Sequence, residues 1–312
     1  MKMVSVYLIT YKHEQFIGQA IESIVNQQVN FDFELVIGED MSPDNTRKIC
    51  EDYAARYPHI INLLPSDKRY GVLENDLRIH AACHGKYIAF CEGDDYWLDP
   101  YKLQKQFDFM EANPDFTLCF SDVQIIDEMG NCFENKYPRK GGDVYTIEDI
   151  IQTERNIMPT PTLFFRNILP RPLPPVYTNI KSGDICIQLL LADKGKVKYF
   201  AEDMAVYRNH SGGISKSPEY IRIGDSQLFR LYKEINEYFN FKYAKQIRRR
   251  LLEMSKVKLI HHASGLKGMA RFRHYLKQFP DYIKYSEKVN VKEAAYYHMV
   301  LFMPWALKMF KK

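Results

Sequence analysis

Along the first third of the chain, short apolar runs alternate with stretches whose apolar residues recur every three or four positions. Val4 to Thr10 (VSVYLIT) is rich in β-branched residues and predicts a buried strand. Phe16, Ala20, Ile21, Ile24 and Val25 then fall at helical spacing between His13 and Gln28. Phe33 to Gly38 predicts a second strand, Ile60 to Leu64 a third and Tyr87 to Cys91 a fourth. Between them, Pro43 suits the first turn of a helix ending at Tyr57, another helix spans Val72 to His84, and Asp99-Pro100 opens one running to Asn113. This alternation predicts an α/β fold with a mostly parallel, doubly wound sheet flanked by helices. In such sheets ligands lie beyond the carboxyl ends of the strands, near the reversal in strand order. Thr10-Tyr11-Lys12, Glu39-Asp40 and Glu92-Gly93-Asp94-Asp95 all fall at such ends.

Beyond Asp115 the pattern loosens. Phe116 to Phe120, Val123 to Ile126, Thr162 to Phe165, Val197 to Phe200 and Met204 to Tyr207 predict short strands, with a turn-rich stretch at Gly130 and Gly141-Gly142. Asp184 to Lys194 predicts a helix that buries Ile185, Ile187, Leu189, Leu190 and Leu191. From Pro218 onward the patterns are almost all helical. No internal repeat or low-complexity linker interrupts the sequence.

Composition leaves this picture in place. With 46% hydrophobic and 26% charged residues, the 312-residue chain is ordinary globular material, which excludes a disordered protein. Its aromatic share of 14% supplies rings that either fill a core or line a carbohydrate or nucleotide site. The cysteines (Cys50, Cys83, Cys91, Cys119, Cys132, Cys186) form no CxxC pair and no disulfide framework. Together with an N-terminus that runs straight into a strand pattern, they predict a cytoplasmic protein.

Charge changes the picture more. The net charge of +4 hides 17 Lys/Arg against 4 Asp/Glu from Asn240 onward, leaving 26 against 35 before it. An acidic body carries a basic helical tail.

Adjacent carboxylates at a strand end repel one another unless a cation or hydrogen-bond donors compensate them. Glu92, Asp94 and Asp95 read either as a hard-cation site open to phosphate oxygens or as a solvated turn, with Asp99 capping the following helix. Further blocks follow a definite order: "FIGQAIESIVNQ", Glu39-Asp40-Met41-Ser42-Pro43-Asp44, Arg69-Tyr70-Gly71, Gly85-Lys86-Tyr87, Glu92-Gly93-Asp94-Asp95-Tyr96-Trp97, Ser182-Gly183-Asp184 and Tyr207-Arg208-Asn209-His210. Over residues 3–215 this order resembles the family 2 glycosyltransferases of the GT-A fold, of the bacterial polysaccharide-biosynthesis type.

The resemblance implies a GT-A catalytic domain over residues 1–215, with its nucleotide-sugar half in 1–115 and its acceptor half in 116–215. The basic helical extension then covers 216–312. It implies inverting transfer of a hexosyl or N-acetylhexosaminyl group, in surface polysaccharide synthesis, from a nucleotide-sugar donor to a hydroxyl of a glycan or lipid-linked acceptor. Uridine is the expected base and Mg²⁺ or Mn²⁺ the expected ion. Thr10, Tyr11, Glu39, Asp40 and Arg69 would hold the nucleotide. Glu92 and Asp94 would face its ribose and phosphates, Glu92 standing where the family often has Asp. Asp95 would ligate the metal, His210 would complete the metal shell or touch the diphosphate, and Arg208 would offset phosphate charge. Asp184 would be the general base, unless it is only a helix N-cap. Here Gly183 replaces the family's usual Glu. Thr160 and Thr162 match the acceptor-side segment.

Two other functions share parts of this pattern. A sugar-nucleotide nucleotidyltransferase would need a Gly-rich basic loop after the first strand, and Tyr11-Lys12-His13-Glu14 is not one. A non-catalytic carbohydrate-binding module would not need Asp94, Asp95 and Asp184. The basic tail reads either as a peripheral contact with an anionic membrane surface or as docked helices whose charges are solvated. No recognition motif accompanies it for nucleic acid. Ala294 to Phe310 is apolar but, with His298, Pro304 and Lys308, poorly suited to spanning a bilayer.

Overall fold

β1 (Val4–Thr10) forms where the sequence places it, with Val4, Val6 and Leu8 fully buried. The computed structural model describes residues 2–133, 142–153, 156–180, 183–260 and 268–286. Gly141, Ser182 and the stretch Ala294 to Phe310 lie outside the described residues. The chain divides into two compact units, Met1–Pro218 and Glu219–Lys312.

In the first unit α1 (Ile17–Val25) follows β1 and buries Ile17, Ala20, Ile21 and Ile24, the stripe set by their spacing. Each of the buried isoleucines contributes roughly 1.5–3 kcal/mol. Next come β2 (Phe33–Glu39), α2 (Thr46–Arg56), β3 (Ile61–Leu63), α3 (Val72–Ala82), β4 (Tyr87–Phe90), β5 (Tyr96–Trp97) and α4 (Lys102–Ala112). β6 (Phe116–Ile126), β7 (Cys132–Phe133), β8 (Val144–Tyr145), α5 (Ile147–Gln152), β9 (Phe164–Arg166), α6 (Pro175–Thr178), α7 (Gly183–Ala192) and β10 (Lys196–Arg208) complete the unit.

The strands join in one sheet with the order β3-β2-β1-β4-β9-β6-β10-β5; β7 adds to β6 and β8 to β10. β3, β2, β1 and β4 are mutually parallel, as are β6 and β10. β9 runs antiparallel to both β4 and β6 and joins the two parallel blocks.

The structure revises several expectations. α2 begins at Thr46, because the Asp44 carboxylate accepts from the Thr46 amide and hydroxyl and ends the loop there. Asp99 is not the N-cap of α4: Tyr101 is, and Asp99 accepts its amide at 2.8 Å in a turn ahead of the helix. The segments read as strand pairs at 116–126 and 197–207 are each one continuous strand. β10 absorbs its polar middle through register shifts between Phe200 and Asp203 and between Asp203 and Ala205.

The second unit holds α8 (Pro218–Tyr238), α9 (Ala244–Ile260) and α10 (Gly268–Tyr285). On α9, Ile247, Leu251 and Met254 are buried at helical spacing, while Arg248 donates to the Tyr285 and Ser286 carbonyls at the end of α10. Among the described residues no helix is long and apolar enough to cross a membrane.

Candidate active site

β1 lies between β2 and β4, with β3 beyond β2, so strand order reverses between β1 and β4. The chain leaving β4 passes directly over the end of β1, where the Gly93 amide donates to the Ile9 carbonyl at 3.0 Å. A Cβ on Gly93 would lie 2.4 Å from Thr10 Oγ1 and 3.0 Å from His13 Nδ1, so this crossing requires glycine. Antiparallel pairing of β5 with β10 at Val206 and Tyr96 then brings the acidic loop beside Arg208 and His210.

The two neighbouring aspartates diverge. Asp94 Oδ2 stands 3.0 Å from His210 Nε2 and 3.7 Å from His13 Nε2. One donor atom from each of His13, Asp94 and His210 lies within 4.8 Å of the others. Burial pushes the Asp94 carboxyl up, but the His210 hydrogen bond and the two imidazoles outweigh it and hold the group below its ordinary range. Burial, aided by His210 and opposed by Asp94, lowers the His13 pKa. Asp95 instead turns inward: its Oδ1 accepts the Arg208 amide at 2.9 Å, and its buried Oδ2 has no hydrogen-bond partner among the described residues. Burial and the charges of Asp94 and Glu92 raise the Asp95 pKa well above its usual value. Half-buried Glu92 is pushed up to about 8 by desolvation, then by Asp94, Asp184 and Asp76. Three crowded carboxyls, two of them pushed toward their neutral form by burial and by each other's charge, beside two imidazoles fit a divalent cation, which would compensate their ionised forms.

Asp184 is the second residue of α7 and not its N-cap. It accepts from Asn156 Nδ2 at 2.9 Å, and burial raises its pKa. A Cβ on Gly183 would lie 2.8 Å from Tyr177 Oη. That hydroxyl donates to Asp76, which also accepts from Tyr7 Oη, both at 2.5 Å. The Tyr177 ring therefore fills the room a Glu side chain at 183 would need.

The nucleotide candidates line the neighbouring rim. Asp40 is buried and accepts from the Tyr70 amide at 2.6 Å and the Gly71 amide at 3.0 Å, with Arg69 Nε 3.9 Å away. The exposed Arg69 guanidinium lies 4.3 Å from the centre of the Tyr11 ring. Glu39 is turned into its own loop, where it accepts the Ser42 amide at 2.6 Å and the Met41 amide at 3.1 Å. Thr10 is buried beneath Gly93, with Oγ1 3.2 Å from His13 Nδ1. Both hold the rim together from behind. Arg208 is similarly enclosed, its guanidinium between the Phe16 and Tyr96 rings and bonded to Gln19. Thr162 is buried and donates to the Pro159 carbonyl.

A family model for glycosyl transferase family 2 matches residues 5–169, more than half of the chain. The chain belongs to glycosyl transferase family 2. An uncharacterized protein of Mycobacterium tuberculosis, Rv1520, is 33% identical over 215 residues, covering 68% of this chain and 60% of that protein. The chain thus spans about three fifths of the length of such curated relatives. Among solved structures, S. aureus TarS 1–349 in complex with UDP superposes with a TM-score of 0.64 at 18% identity, covering 92% of this chain and 81% of that 1–349 chain. The mannosyltransferase PcManGT of Pyrobaculum calidifontis, in complex with GDP-Man and Mn²⁺, gives 0.55 at 14% identity over 91% of this chain and 82% of that chain. The fold of this family 2 member is GT-A.

Within that fold, Thr10, Glu39, Asp40, Glu92, Asp94, Asp95 and His210 gather around neighbouring strand ends, and the charge of Asp184 reaches Glu92 from α7. Two contributors are not marked by the motifs. His13 reads from the sequence as the start of a helix, although its position directly after a strand-end loop is a usable signal. Asp76, with Tyr7, Tyr177 and the buried His80, left no signal, since these residues come from three separate elements.

Proposed function

We propose that this chain is a metal-dependent, inverting glycosyltransferase that moves a hexosyl or N-acetylhexosaminyl group from a UDP-sugar to a hydroxyl of a glycan or lipid-linked acceptor. The observation that carries this reading is the convergence of His13, Asp94 and His210 beside Glu92 at the strand-order reversal. The UDP complex of TarS supports the choice of nucleotide.

Asp94, His210 and His13 would hold the divalent ion. One carboxylate with two imidazoles suits Mn²⁺ better than Mg²⁺, which favours all-oxygen ligands. When bound, the ion supplies Lewis-acid charge that offsets the departing diphosphate. Asp95 supports this centre from behind through the Arg208 amide, in place of the ligand role that the family resemblance implies. Asp40 and the Tyr11–Arg69 pair receive the nucleoside, and the exposed guanidinium, loosely held by Asp40 and the Tyr11 ring, turns to phosphate oxygens. Asp184, oriented by Asn156, takes the acceptor hydroxyl's proton as the hydroxyl attacks the anomeric carbon. Its raised pKa makes it a better base than an ordinary carboxylate.

Isothermal titration of the full chain tests the metal centre without turnover. Mn²⁺ binds more tightly than Mg²⁺, and Asp94→Asn or His13→Ala weakens Mn²⁺ binding by about tenfold or more. Equal affinity in wild type and Asp94→Asn would overturn the assignment.

A further inference from the structure

The turn between α8 and α9 is built in an unexpected way. Asn240 and Phe241 both adopt left-handed backbone, with φ of 48° and 61°. Asn enters that region readily, but for a bulky Phe it is an outlier, and glycine would fill the position without strain. The conformation is fixed on both sides: the Phe241 amide donates to the Asn236 carbonyl at 2.8 Å, and the Ala244 amide to the Phe241 carbonyl at 3.1 Å. Phe239 and Tyr243 turn inward and are buried, whereas the Phe241 side chain is 61% exposed beside Tyr238 at 40%. The turn thus holds a large apolar ring out in solvent at the cost of backbone strain, which is a reason to look for what the ring meets.

Charge indicates the partner. Lys242, Lys245, Arg248 and Arg249 are exposed on the turn and the first two turns of α9, and residues from Asn240 onward carry 17 Lys/Arg against 4 Asp/Glu. A soluble polyanion would be met by the cations alone. Exposed aromatic rings in a segment that also exposes Lys and Arg suit the interface of an anionic bilayer, where rings enter the headgroup boundary and the cations meet lipid phosphates.

We propose that the α8–α9 turn docks on an anionic lipid bilayer, with Phe241 and Tyr238 entering the interface and Lys242, Lys245 and Arg249 contacting headgroups. The proposal uses residues of the second unit alone, so it stands whether or not the glycosyltransferase reading holds.

Cosedimentation of the full chain tests it with two kinds of vesicle, phosphatidylcholine alone and phosphatidylcholine containing phosphatidylglycerol. Binding is expected only to the anionic vesicles and weakens as salt rises. Phe241→Gly removes the ring and the strain together, so it keeps or raises the melting temperature while weakening vesicle binding roughly tenfold. The pair Lys245→Glu and Arg249→Glu loses it as well. Unchanged binding by a folded Phe241→Gly would overturn the docking site. So would equal binding to neutral vesicles, or a Phe241→Gly effect confined to self-association of the chain.

Discussion

Asp94 and Asp95 are adjacent residues of the same type, yet the fold gives them opposite work. The loop crosses Thr10 at Gly93 and is then caught by β5 pairing with β10, so one carboxylate meets two imidazoles and the next faces the Arg208 amide. Nothing local to the sequence distinguishes them, because the partners are supplied from across the chain. His13 is hidden for the same reason. Glu92 yields the sharpest prediction at this scale. Its carboxyl has an ordinary value of 4.5 and is pushed up to about 8 by burial and neighbouring acids. Between those values the folded, metal-free chain holds a proton that the unfolded chain has lost. The Glu92 contribution to stability is therefore fully present below about pH 4.5 and is lost as pH rises toward 8. Urea midpoints measured with a chelator across this window should fall for wild type and fall less for Glu92→Gln. Equal slopes would show that Glu92 is not the group responsible.

Among the elements, those with a strong local pattern were legible. β1, β2 and β4 are short β-branched or aromatic runs, and α1 carries a regular apolar stripe, so each sits within a few residues of its expected position. β5, β7 and β8 have only two residues each, too few to show a period, and they exist because neighbouring strands offer them partners. β10 looked like two strands because Ala201–Asp203 breaks its apolar pattern, and the bulged pairing with β6 carries it through. The crossing of the β4–β5 loop over β1 depends on Gly93. Gly93→Ala forces the new methyl into Thr10 and should cost about 1–3 kcal/mol of stability, with weaker Mn²⁺ binding in the protein that still folds. Thermal unfolding and metal titration check this together. A variant with wild-type stability and wild-type Mn²⁺ affinity would contradict the close crossing.

For the whole molecule, the alternation of strands and helices was enough to indicate a doubly wound sheet, and the order of motifs enough to indicate the family. The antiparallel β9 between two parallel blocks was not legible, because strand direction depends on chain routing through the loosely patterned middle. The substitution of Gly183 for the family's Glu also looked like an incomplete site in the sequence. The structure gives it a physical reason in the Tyr177 ring and its bond to Asp76. The remaining claim is that metal and base act from different elements on one reaction. Its most direct test is release of UDP from a set of UDP-sugars, with and without Mn²⁺, by wild type and Asp184→Asn. Turnover is expected to require Mn²⁺ and to fall at least about 100-fold in Asp184→Asn, while that variant still binds Mn²⁺ and UDP. Turnover that persists in chelator, or that Asp184→Asn leaves intact, would contradict it.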